Sequence, residues 1–181
     1  MHEIEIIYFT ANHIDAALSI SNSWFGAGYH DEAFFRQFIN SEKHFGYAAV
    51  SGNRLIGFTM IQIYKPQELP ERITLHGISD LTQFEDMDAI AVGGPTAVLT
   101  EFQKNGIGHA LIARREKALN GRVNAVISVG WKTSKGVHIG SILTKKDMKS
   151  KTRSPIIGLK KALKSIVRVP YAVRPSAIAQ R

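Results

Sequence analysis

Gly106 and Gly108 sit where a polar run gives way to a helical pattern, and that junction limits the folds open to this chain. The stretch FQKNGIGHALIARREKALNG, residues 102–121, begins as a polar turn. Ile107, Ala110, Leu111 and Ala118 then recur at helical spacing, and Asn120-Gly121 supplies a stop. A helix start carries several backbone N–H groups without intrahelical partners and the positive end of the helix dipole. Glycines there let a ligand approach the backbone. The junction therefore reads either as an anion site, most often for phosphate, or as a tight strand-to-helix turn. Lys104 adds attraction for a phosphate. The pattern is not the nucleoside triphosphate loop, because no Gly-Lys-Ser/Thr follows. Nor is it the dinucleotide Gly-x-Gly-x-x-Gly, because residue 111 is Leu.

Around the junction, strands and helices alternate. Residues 3–10, EIEIIYFT, read as a strand. Helices are predicted over about 13–25 and 31–43, the second with Phe34, Phe35 and Phe38 on one side. FGYAAVSGNRLIGFTMIQIY reads as a hairpin turning at Ser51-Gly52-Asn53, with Ile56, Phe58 and Met60 alternating with smaller or polar neighbours. Residues 65–87 are polar and irregular, and a loop of that length inside a domain is often functional. A strand over 88–99 is interrupted by Gly93-Gly94-Pro95. A further strand is predicted at 123–130 and a helix at 137–148.

Composition narrows the class. A chain of 181 residues, 44% hydrophobic and 21% charged, suits a globular protein with one main core. There is no cysteine, so disulfides, thiolate metal sites and a thiol nucleophile are excluded. The seven histidines show no metal-ligand spacing, so no metal is expected. The N-terminus has no signal-peptide pattern, and no apolar run approaches the roughly 18 residues of a membrane span. A cytoplasmic location is the resulting expectation.

The stretch VLTEFQKNGIGHAL, Val98 to Leu111, resembles the acetyl-CoA motif of the GNAT N-acetyltransferase superfamily. That motif runs Val, acid, Pro, x, aromatic, Arg or Gln, x, x, Gly, x, Gly or Ala. Val98, Phe102, Gln103, Gly106 and Gly108 match it. Leu99 stands for the acid and Thr100 for the proline. The order of elements agrees over roughly residues 3–149. The resemblance implies an α/β fold with a mixed, mostly antiparallel central sheet, two splayed parallel strands and flanking helices. It also implies acetyl-CoA as co-substrate and an amine acceptor. The backbone of Thr96, Ala97 and Val98 would pair with the pantetheine arm, and the N–H groups of Gln103, Lys104, Asn105, Gly106, Ile107 and Gly108 would hold the pyrophosphate. Acyl transfer then needs a route for the amine proton and donors for the developing oxyanion.

The catalytic partners are less regular. The family often places a tyrosine in the helix after the second wall strand as acid for the leaving thiolate. Alignment of SILTKKDMK puts Leu143 there and Asp147-Met148 at the Gly-Phe pair that follows. His138, Ser141 or water are the substitutes. Glu85, Asp86 and Asp88 cluster where the long loop enters its strand, and one of them is a candidate base, directly or through water; a solvated loop end is the plain alternative. Glu101 is expected to face solvent. Trp131-Lys132 are candidates for the acceptor site, and a core role for Trp131 is equally open.

The net charge of +8 is uneven. From Lys145 to Arg181 there are eleven Lys and Arg against the single acid Asp147, a balance of +10, which leaves −2 for residues 1–144. SPIIGLKKALKSIVRV, 154–169, reads as a basic amphipathic helix with Leu159, Ala162, Leu163, Ile166 and Val167 on one face. The expected organisation is a GNAT-like domain over 1–149 and a basic extension over 150–181. The stripe would dock on the domain or in a homodimer. A nucleic-acid arm is the less favoured use, because no aromatic stacking platform accompanies the lysines. A scaffold that binds CoA, nucleic acid or a protein partner with little turnover is the alternative to an enzyme.

Overall fold

The computed structural model describes residues 3–69, 84–131 and 165–171. In chain order the elements are β1 (Ile4–Tyr8), α1 (Ile14–Phe25), α2 (Glu32–Arg36), β2 (His44–Ser51), β3 (Arg54–Tyr64), β4 (Ile90–Val98), α3 (Ile107–Leu119), β5 (Ala125–Trp131) and β6 (Ser165–Tyr171). They form one six-stranded sheet in the order β1-β2-β3-β4-β5-β6. Neighbours from β1 to β4 are antiparallel, while β4 with β5 and β5 with β6 are parallel. The mixed, mostly antiparallel sheet expected from the sequence is present.

The hairpin follows from turn chemistry. Gly52 has φ +59°, and Ser51 pairs with Arg54 across the Gly52-Asn53 turn. β3 does not keep a simple inward and outward alternation. It is buried on both faces from Leu55 to Ile63, because helices cover the sheet on both sides. On one face Phe9, Ile14, Ala17, Ile20, Phe35 and Phe38 pack on Ala48, Phe58 and Met60. On the other, Ile107, Leu111 and Leu119 of α3 pack on Tyr47, Ala49, Ile56 and Ile61. Phe58 is fully buried, which contributes about 1.5–3 kcal/mol relative to exposure.

Two predicted helices change in extent. The helix expected over 31–43 stops after Arg36. Asp31 caps it by accepting the N–H of Phe34 at 2.7 Å, but Asn40 lies at φ +57°, a left-handed conformation that no helix continues through. The apolar face of α3 is also turned from expectation. Ile107, Leu111, Ile112, Arg115 and Leu119 are buried, whereas Ala110 is exposed and Ala118 half-buried. Gly121 at φ +73° supplies the stop.

The C-terminal segment differs more. Ser165–Tyr171 is a strand paired in parallel with β5, not the end of a helix begun at Ser154. Ile166, Val167 and Val169 are β-branched and suit an extended chain, and β5 offered an open edge. Pro170 is tolerable in an edge strand, where no ladder donor is required on the outer side. Residues 154–164, the helix expected at 137–148 and the boundary expected at 149/150 lie outside the described residues. Among the described residues, no helix is long and apolar enough to cross a membrane.

The feature that shapes the site is the parting of β4 from β5. The pair is in register only from Ile90↔Ala125 to Gly93↔Ser128. β4 continues to Val98 along β3, without β5. The closed end is pinned by Asn124, whose side-chain oxygen accepts the N–H groups of Asp88 and Ala89, both at 3.0 Å. At the parting point the β3–β4 register slips between Thr59 and Ile61. Gly94 permits that slip: a Cβ built on it would lie 2.9 Å from Met60 Cβ, a contact side chains do not make. Pro95 has no N–H to offer β5. Gly94→Ala is therefore expected to destabilise the protein by about 1–3 kcal/mol through overpacking against Met60. Thermal unfolding checks this: a fall in Tm of about 2–10 °C is expected for a chain of this size, and an unchanged Tm would show that the strand yields freely.

Candidate functional site

Past Gly93, one edge of β4 has no neighbouring strand among the described residues. Which backbone groups face that edge follows from the ladder. The N–H of Leu99 donates to the Ile56 carbonyl at 2.8 Å, so Leu99 and Ile56 form a hydrogen-bonded pair. Antiparallel ladders alternate, so Ala97 also points toward β3, while the N–H and C=O of Thr96 and Val98 point the other way. Thr96 and Val98 thus present donors and acceptors to the gap in the manner of an unpaired sheet edge. An extended chain carrying amides could add there as a strand.

The edge leads into the glycine turn. Thr100–Phe102 is a 3-10 turn, closed by Phe102 N–H to Leu99 C=O at 2.9 Å. Lys104 at φ +63° and Gly106 at φ +78° both adopt left-handed conformations, the alternation that curls successive N–H groups into an anion-binding concavity. The first helical hydrogen bond of α3 runs from Ala110 N–H to Gly106 C=O, so the N–H groups of Ile107, Gly108 and His109 precede it and face the turn. Lys104, Asn105 and Gly106 are exposed, and a Cβ on Gly106 would meet nothing within 4 Å, so the mouth of the turn is open. An open depression of about 650 Å³ adjoins it, between the β2–β3 turn and Phe102. Arg54 beside it is tied to Glu101 at 2.6 Å, which leaves Lys104 as the cation of the turn itself.

The fold has counterparts among solved structures. NAA60 of Arabidopsis thaliana in complex with a bisubstrate analogue matches with a TM-score of 0.53 and 23% identity over 66% of this chain and 68% of that one. The same protein in complex with acetyl-CoA matches with a TM-score of 0.52. The aminoglycoside N-acetyltransferase AAC(6')-Iy in complex with CoA matches with a TM-score of 0.53 and 14% identity, over 86% of this chain and 90% of that one. No protein-family model and no curated protein matches the sequence. The fold is that of the GNAT superfamily.

Within the GNAT fold, the predicted site residues separate into two groups. Thr96 and Val98 at the β4 edge lead through Thr100–Phe102 into the turn Gln103, Lys104, Asn105, Gly106, Ile107 and Gly108, in which Ile107 is buried. Ala97 differs from its neighbours, since its backbone belongs to the β3 ladder. Glu85, Asp86 and Asp88 are all exposed at the opposite, closed end of β4. At ~3.3 Å per residue, Ile90 stands roughly 10 Å from Gly93 and roughly 20 Å from Thr96, so these acids lie nearer the apex of the gap than its open edge. Glu101 is exposed and paired with Arg54. Lys132, His138, Ser141 and Leu143 lie outside the described residues, as do the structural details of the Trp131 side chain. Among the described residues, no three His, Asp or Glu side chains gather as a metal site.

Two residues that the sequence reading passed over meet at this edge. Arg115 is 1% exposed, and its Nη1 donates to Thr59 Oγ1 at 3.4 Å. Thr59 Oγ1 is in turn 2.7 Å from Thr96 Oγ1, so the chain Arg115–Thr59–Thr96 ends directly behind the open edge. Burial pulls the Arg115 guanidinium down to about 10, and its Nε has no partner among the described residues. The signal was present in the sequence: Arg115 is the third of Ile107, Leu111, Arg115 and Leu119, a stripe spaced at i, i+4. The second residue is Trp24, whose indole Nε1 donates to the Val98 carbonyl at 2.9 Å. Gln103 Nε2 addresses the same oxygen at 3.4 Å.

Among the described residues no carboxylate pairs with Arg115; such a buried charge is costly, and an apolar side chain of similar volume in its place is often neutral or stabilising. Arg115→Met should leave the Tm unchanged or raise it by a few degrees. Thermal unfolding decides this: a large fall would mean that the guanidinium is held by more than Thr59.

Proposed function

We propose that the chain is an acetyl-CoA-dependent N-acetyltransferase that moves the acetyl group directly to an amine. One observation carries the reading: an unpaired strand edge at Thr96–Val98 runs straight into an open, glycine-shaped anion turn. Acetyl-CoA has the matching order of parts, an amide-bearing arm joined to a pyrophosphate. With the pyrophosphate on the turn and the arm along β4, the thioester comes near Gly93 and Gly94, where β4 and β5 converge. The acceptor amine attacks the thioester carbonyl there, the C–N bond forms, and the C–S bond breaks. The thiolate gains a proton and the amine loses one. The distance from the acids at the start of β4 favours proton removal through water, with Glu85, Asp86 and Asp88 as eventual acceptors. Water can serve the thiolate as well.

A homodimer or a nucleic-acid contact of the basic C-terminal end would be additional to this reaction. The second reading is a GNAT-fold protein that binds CoA without turnover. It is favoured by Leu143, which stands where the resemblance places a tyrosine, and by Trp24, which already occupies the Val98 carbonyl.

The reaction test is release of free thiol from acetyl-CoA with a panel of amines and small peptides. Because the chain has no cysteine, every thiol titrated comes from CoA. Release above the uncatalysed rate with at least one acceptor is expected; CoA binding with no release across the panel selects the second reading.

The cofactor assignment has its own check. Gly106→Glu should weaken CoA binding at least tenfold by calorimetry, because it sets an anion at the phosphate position and forces a side chain onto φ +78°. Equal affinity in parent and variant would remove the turn from the cofactor site.

A further inference from the structure

We propose that Trp24 is a built-in occupant of the open β4 edge, and that its indole must leave the Val98 carbonyl before an extended cofactor can pair there. The inference rests on the reading that acetyl-CoA lies along β4. A neighbouring strand would run about 4.8 Å from β4 and would place its N–H donor about 2.9 Å from the carbonyl oxygen. The Trp24 Nε1 lies 2.9 Å from that oxygen, so the indole stands where the donor of an added strand would be. This carbonyl is the one the indole addresses. The ladder turns the Val98 C=O away from β3, and β5 has no residue in register beyond Ser128 to reach it.

The oxygen has no spare capacity. Its two lone pairs are addressed by Trp24 and, at 3.4 Å, by Gln103. The longer contact is the easier one to give up, but releasing Gln103 does not clear the space filled by the indole ring. The ring itself is lightly held. Trp24 is 43% exposed, belongs to no core cluster, and sits on the last turn of α1, just before Gly26 at φ +101° and Gly28 at φ +72°. It can therefore swing out without disturbing the α1 stripe of Ile14, Ala17 and Ile20 that packs on the sheet. In the free protein the indole satisfies a carbonyl that would otherwise face an empty cleft. On binding, the ligand amide takes its place.

The test is Trp24→Phe, which keeps an aromatic ring and removes the donor. Calorimetry with CoA compares the variant with the parent, and fluorescence follows tryptophan emission during the titration. Losing one competing hydrogen bond should tighten CoA binding about 3- to 10-fold. The parent should show a saturable shift in emission that is missing from the variant, whose remaining tryptophan is Trp131. If the parent binds CoA but Trp24→Phe binds equally or more weakly, or if parent emission does not change on saturation, the inference falls and the cofactor reading stands. If neither protein binds CoA, both fall together.

Discussion

The parting of one parallel strand pair sets the terms for the rest of the molecule. A sheet normally satisfies its backbone groups by continuing to the next strand, and an edge left open inside a fold must be satisfied some other way. Here β4 and β5 hold together over four paired positions and then separate at Gly93 and Gly94. The separation coincides with a close approach to β3, since Met60 lies where a Gly94 side chain would be and the β3–β4 register slips at that point. It is limited from below, since Asn124 clamps the start of β4. A gap with a fixed apex and a free edge is the result.

What surrounds the gap is polar chemistry held by apolar packing. α3 is anchored by Ile107, Leu111 and Leu119, so its N-terminus cannot drift from the end of β4. That anchoring brings the anion turn and the open edge into one continuous path. Arg115 runs from the same helix to Thr59 and so to Thr96, behind the path rather than in it. A permanent charge in that position raises the positive potential beneath the edge, in the same sense as the helix dipole and Lys104. The three contributions favour an anionic ligand at one end of the gap. The acids at the far end of β4 leave the other end with the opposite sign.

Much of this was legible in the sequence, for reasons that differ by element. The turn at Gln103–Gly108 was readable because glycine and helix-start chemistry are local, and the hairpin at Gly52-Asn53 was readable for the same cause. The splay was not, because it depends on Gly94 meeting Met60 from another strand. The helix expected over 31–43 carried a correct apolar pattern, with Phe35 and Phe38 in the core, but the chain leaves the helix after Arg36 and the left-handed Asn40 bars its extension to 43. The strand at Ser165–Tyr171 was concealed because IVRV fits a helical stripe and a strand alike, and only the free edge of β5 decides between them. Grouping Glu85, Asp86 and Asp88 with the site followed from their nearness to β4 in sequence. Strand length, about 3.3 Å for each residue, sets them nearer the apex of the gap at Gly93 than its open edge at Thr96.

β6 has a further consequence for the gap. A single parallel strand at a sheet edge would leave β5 pairing on one side over only four positions, with its last residues unsupported on both sides. β6 pairs with β5 from Ala125↔Ser165 to Trp131↔Tyr171, including the stretch from Val129 onward that has lost β4. The outer wall of the gap is thus backed by a strand from the basic end of the chain. β6 uses the backbone groups on the far edge of β5, so those that face the gap past Ser128 keep no strand partner among the described residues, and the outer wall has an edge of its own.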